Sequence, residues 1–126
     1  MCKSLMVLHV LELIKSSLLE VEKRSERITE PNDFLTSETG VILMDSICMK
    51  LSAIGESIKN LDKITNHELL IQYPKIPWRN VMGVRDFIVH HYFEVDAEVI
   101  FEICKNDIPT LISVIAQMIE DLYKSN

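Results

Sequence analysis

The sequence predicts an all-α fold, an antiparallel bundle of four to five main helices in a single domain over residues 1–126. Three observations carry that expectation. Apolar residues make up 48% of the chain with only 3 glycines and 4 prolines, too few reversals for a sandwich or barrel and too much apolar material for disorder. Apolar stripes at helical spacing run through two long segments. A length of 126 residues supports one core but not two.

The first segment places Val7, Leu11, Ile14, Leu18 and Val21 on one stripe, with Glu12, Lys15, Glu20, Lys23 and Arg24 between them. A helix is expected from near Ser4 to about Arg27. The stretch TEPNDFLTSETG interrupts it with Pro, Asn, Asp and Gly, and Thr36 or Ser37 is placed to cap the next helix. That second helix is the most regular in the chain, carrying Met44, Ile47, Leu51, Ile54, Ile58 and Leu61. Two long amphipathic helices joined by a short loop form an antiparallel pair. Gly55 inside the second costs roughly 1 kcal/mol relative to alanine, and close helix packing is its simplest explanation.

HELLIQYP is expected to form a short helix that stops before Pro74. Pro77 suits the first position of a further helix, where its missing N–H is harmless. That helix turns Trp78, Val81, Met82 and Ile88 inward and delivers RDFIVHHY, Arg85 to Tyr92, at its C-terminal end. Asp96 is placed to cap a following helix, AEVIFEICKN, and Asp107 with Pro109 marks a kink or a new start before the last one, TLISVIAQMIEDLY.

The formal net charge is −6, which argues against broad coating of nucleic acid. The charge is uneven: residues 1–40 hold 5 basic and 7 acidic side chains, residues 41–92 hold 6 and 5, and residues 93–126 hold 2 and 7. An anionic ligand is therefore repelled least by the middle third, which contains RDFIVHHY. Cys2, Cys48 and Cys104 are odd in number and contain no C-x-x-C pair, so neither a disulfide framework nor a thiolate zinc site is expected. A reducing, cytoplasmic setting and no membrane span follow from these cysteines and from an N-terminus broken by His9 and Glu12.

On a continuous helix Asp86 and His90 are i and i+4, so the carboxylate can hydrogen-bond the imidazole and prepare it for acid/base work. His90 lies five residues beyond Arg85, turned from it by about 140° on a regular helix. One straight helix therefore does not aim both at the same atom. Either the helix distorts near His90, or a symmetric dimer assembles a shared cleft, the solution favoured here. Adjacent His90 and His91 point to different sides, no H-E-x-x-H or E-x-x-H pair occurs, and no metal site or cofactor is expected. An arginine to hold a phosphate, a histidine to move a proton and the Tyr92 hydroxyl suit attack of an RNA 2′-hydroxyl on the adjoining phosphate. Composition alone favours a plainer account, in which histidine and arginine cap a helix end. His9 and His67 read as surface residues, Trp78 as a core anchor, Cys48 as core, and Lys75 and Arg79 as solvated charges beside the motif.

Arg85, His90 and Tyr92 match the R-x-x-x-x-H-x-Y motif of the HepT-like toxins. IGESIKNL at Ile54 to Leu61 and YPKIPWRNVMGVRDFIVHHYFEVD at Tyr73 to Asp96 extend the resemblance over most of the chain. These toxins are HEPN-domain ribonucleases encoded beside a minimal, MntA-like nucleotidyltransferase antitoxin. The resemblance implies a helical homodimer whose Arg and His residues share one cleft, and a metal-independent endoribonuclease of a type VII toxin–antitoxin pair. It implies Arg85 on the scissile phosphate, His90 as acid/base, Asp86 in a supporting place where many relatives carry Asn, and Tyr92 as acceptor of AMP from the antitoxin. His91 receives no role. The rival reading is a non-catalytic module that binds the nucleotidyltransferase.

Overall fold

The computed structural model describes residues 3–91 and 94–125. Within them α1 spans Lys3–Ser25, α2 Glu38–Ile64, α3 Trp78–His90, α4 Ala97–Glu102 and α5 Ile108–Ser125, and no strand occurs among the described residues. The all-α expectation holds. The first two stripes are the core seam: Leu11, Ile14 and Leu18 of α1 and Ile47, Ile58 and Leu61 of α2 are buried essentially completely. Helix α1 packs on α2 and α5, and α3 packs on the other flank of α2. Ile115 and Met118 of α5 close the core.

Helix ends follow local chemistry. Ser37 caps α2, its hydroxyl accepting from the Gly40 N–H at 2.9 Å. At the other end Thr65 returns its hydroxyl to the Leu61 carbonyl at 2.8 Å. Asn66 and His67 then adopt left-handed φ of 56° and 62°, with His67 Nδ1 held 2.7 Å from Asp62 Oδ2. This reversal and Pro74 leave HELLIQYP too little room for an α-helix, and only a 3₁₀ turn forms at Leu70–Gln72. Pro77 caps α3 from just outside instead of opening it. Trp78 is buried as expected and donates its indole N–H to the Tyr73 carbonyl at 2.9 Å. His9 and His67 are exposed, and Cys48 is half-buried against the core.

Asp96 caps α4, accepting from the Glu98 N–H at 2.8 Å. Between α4 and α5 the chain neither breaks nor restarts: residues Ile103–Asp107 form a π-helical segment in which the Ile108 N–H bonds the Ile103 carbonyl. Pro109 has no N–H for the i−4 bond, and a wider turn ahead of it accommodates the missing donor. The segment also lets Lys105 donate from Nζ to the Ser25 carbonyl at 2.7 Å, closing the C-terminus of α1.

Candidate active site

Gly55 fixes how near α3 lies to α2. A Cβ at that position would stand 2.9 Å from the Val81 carbonyl oxygen, 2.9 Å from Val84 Cγ1 and 3.6 Å from the Arg85 amide. The close-packing reading of this glycine is therefore borne out, and the surface it packs against is the backbone that carries Arg85. One residue on, Glu56 is set beside the guanidinium, its Oε2 3.9 Å from Arg85 Nε. Asp86 Oδ1 accepts from Arg85 Nη1 at 3.3 Å. No hydrogen bond joins Asp86 to His90 among the described residues: in the single chain the carboxylate turns to the neighbouring positive charge, not to the imidazole one turn on.

Helix α3 stays α-helical through His90, and the His91 N–H closes the last turn on the Phe87 carbonyl at 3.1 Å. The helix is therefore not distorted between Arg85 and His90. Both side chains are exposed, Arg85 at 49%, and they leave α3 in different directions. His91 has a structural task that the motif did not reveal. Its Nδ1 lies 2.8 Å from the Phe87 carbonyl oxygen, so Nδ1 carries the proton, and its ring packs on Phe87 with centroids 4.9 Å apart. It pins the end of α3 immediately after His90. Tyr92 lies outside the described residues.

Beside this helix end, Met49 and Ser52 of α2 with Ile88 and Val89 of α3 line a groove of about 450 Å³. Met49 is 76% exposed and Val89 54%, an apolar rim next to charged residues. Cys48 also lines this groove; burial pushes its thiol up to about 11, so it is neither a nucleophile nor a ready metal ligand at neutral pH. Among the described residues no three His, Cys, Asp or Glu side chains are grouped to hold a metal ion, and no helix is long and apolar enough to cross a membrane.

The family described as ribonuclease HepT-like matches residues 14–118 of the chain. A Methanocaldococcus jannaschii protein named "Gamma-glutamylcyclotransferase and putative RNase" is 35% identical over 117 residues, covering 93% of this chain and 47% of that protein. A second protein of that organism, named "Putative RNase", is 34% identical over 61% of this chain and 60% of its own length. The protein named "Probable ribonuclease HepT" of Thermococcus cleftensis is 36% identical over 52% of this chain and 56% of its own length. In each of these the match spans about half to three-fifths of the relative, and no solved structure matches. With the match running from within α1 to within α5 and including the whole of α3, the chain belongs to the HepT-like ribonuclease family.

Proposed function

We propose that this chain is a metal-independent endoribonuclease that works as a homodimer, with Arg85 and His90 from the two protomers meeting in one cleft. The observation that carries the reading is the end of α3: an exposed arginine and an exposed histidine on a regular helix that holds them apart, beside an apolar rim of Met49 and Val89 that is exposed among the described residues. A second copy related by two-fold symmetry covers such a rim and brings the missing partner for each side chain. In the cleft Arg85 binds the scissile phosphate and offsets the charge that builds up on it. His90 takes the proton of the 2′-hydroxyl as it attacks phosphorus; the bond to the 5′-oxygen breaks, and the imidazolium so formed gives the proton to that oxygen. Asp86 supports the site by orienting His90 once the phosphate has taken its place on Arg85.

Tyr92, two residues past His90, is the proposed acceptor of AMP from a partner nucleotidyltransferase, making the chain the toxin of a toxin–antitoxin pair. An anionic nucleotide beside Arg85 and His90 neutralises the arginine and fills the cleft. The test is cleavage of a mixed RNA pool in EDTA by protein whose intact mass shows no adduct. Wild type is expected to cut, and Arg85→Ala and His90→Ala each to lose about 10²-fold or more in rate while keeping wild-type Tm. Intact RNA with clean wild type, or mutants that cut equally well, would leave a module that only binds the nucleotidyltransferase as the better account.

A further inference from the structure

Arg85, on which the proposed cleft relies to hold the phosphate, already has carboxylates beside it. Glu56 Oε2 stands 3.9 Å from its Nε and Asp86 Oδ1 3.3 Å from its Nη1. Two carboxylates face one guanidinium, so the immediate surroundings carry a formal charge of −1 before RNA arrives. Glu56 has no other cationic partner among the described residues. Its place is not accidental, because the close approach that Gly55 permits sets the next side chain of α2 against Arg85. Both carboxylates are 60% exposed, so water screens each pair and either can be displaced.

We propose that Glu56, together with Asp86, occupies Arg85 in place of the substrate phosphate, so that RNA binds only by exchanging these carboxylates for its own phosphodiester. The inference rests on the reading of Arg85 as the phosphate-binding residue and adds a specificity-determining residue, Glu56, that sets how strongly RNA competes. A carboxylate and a phosphodiester offer the guanidinium the same kind of paired oxygen acceptors, which makes the exchange one of like for like. The restraint acts on binding, since the carboxylates have left by the time phosphorus is attacked; it belongs in KM and not in kcat.

Two experiments test it. The first measures binding of a fluorescein-labelled single-stranded RNA by anisotropy, in EDTA, across a salt series, for wild type, Glu56→Gln, Arg85→Ala and the double variant. Glu56→Gln is expected to bind about three- to fivefold tighter, the range an exposed ion pair supports. Its advantage over wild type should shrink as salt rises, because salt weakens the exposed ion pair that restrains Arg85. In the Arg85→Ala background the same substitution should change affinity little, because the arginine it restrained is gone. An equal gain with and without Arg85 would show general repulsion and overturn the proposal, as would unchanged affinity in Glu56→Gln. The second experiment is steady-state cleavage: Glu56→Gln should lower KM at constant kcat. A fall in kcat would make Glu56 a positioning group instead. If wild type binds RNA and Arg85→Ala binds it as well, the phosphate-binding role of Arg85 fails and this inference fails with it. If Arg85→Ala alone weakens binding while Glu56→Gln does nothing, only the inference is lost.

Discussion

At Tyr73 the hydroxyl donates to Asp121 Oδ2 across 2.7 Å and ties the loop before α3 to α5. Burial, and then the hydrogen bond to Asp121 and its negative charge, push the Tyr73 hydroxyl up to about 12. The same bond, with another from Gln117, holds the Asp121 carboxyl below its ordinary value. A tyrosine whose folded pKa is raised stabilises the fold fully below the unfolded value of about 10 and loses that contribution as pH rises toward 12. For Asp121 the window is the opposite, with stability present above the ordinary carboxylate value and lost as pH falls through the lowered one. Tyr73→Phe should therefore have a lower Tm than wild type at pH 8, and the gap should narrow between pH 10 and 12; a constant gap would contradict the assignment. Single residues are also where the sequence is least readable. Arg85, His90 and Tyr92 stand out as a motif within eight residues, but Glu56 is 29 positions from Arg85 and only the crossing of two helices makes them neighbours. His91 shows the same limit, since its bond to the Phe87 carbonyl depends on where α3 ends.

Among the elements, α1 and α2 were legible because a long amphipathic stripe has one way to be buried, and every residue of the α1 stripe is buried. The shorter pieces were harder. HELLIQYP has apolar residues enough for an α-helix, but the left-handed Asn66 and His67 at its start and Pro74 at its end leave only a 3₁₀ turn. Around Pro109 the sequence leaves a kink and a new start open, and the π segment that joins α4 to α5 there is not readable from it; it depends on contacts such as Lys105 to Ser25 that join residues 80 positions apart. Gly55 gives the element-scale prediction. Gly55→Ala gains up to about 1 kcal/mol in helix propensity, but its Cβ meets a backbone oxygen and Val84 Cγ1 at 2.9 Å. The carbonyl cannot swing aside as a side-chain end would, and overpacking costs about 1–3 kcal/mol. The balance is a loss of stability, read as a lower urea midpoint at unchanged slope, together with slower RNA cleavage as Arg85 shifts with α3. A variant as stable and active as wild type would show that α2 and α3 do not pack this closely.

For the whole molecule, the apolar residues left on the outside matter more than those inside. Ile42, Met49 and Val89 are each more than half exposed, and Met49 and Val89 flank the groove beside His90. A stable dimer of this size class covers about 800 Å² on each protomer, and a charge placed at its centre disfavours it. Met49→Asp is expected to shift sedimentation equilibrium toward monomer and to remove cleavage, with Tm reduced only as far as the dimer supported it; an active monomer would refute the shared cleft. The sequence alone could pose this question, through the roughly 140° between Arg85 and His90, because helical geometry is known before any fold is. It could not say that α3 remains regular, which depends on how His91 closes the helix. The most direct test of the composite site is a heterodimer of Arg85→Ala and His90→Ala chains, isolated with two different tags and assayed on RNA in EDTA. Each homodimer should be inactive and the heterodimer should regain a substantial fraction of wild-type cleavage, since one intact Arg85 faces one intact His90 across the two-fold axis. A heterodimer as inactive as its parents, beside active wild type, would place both residues of each working site on one chain and contradict the account.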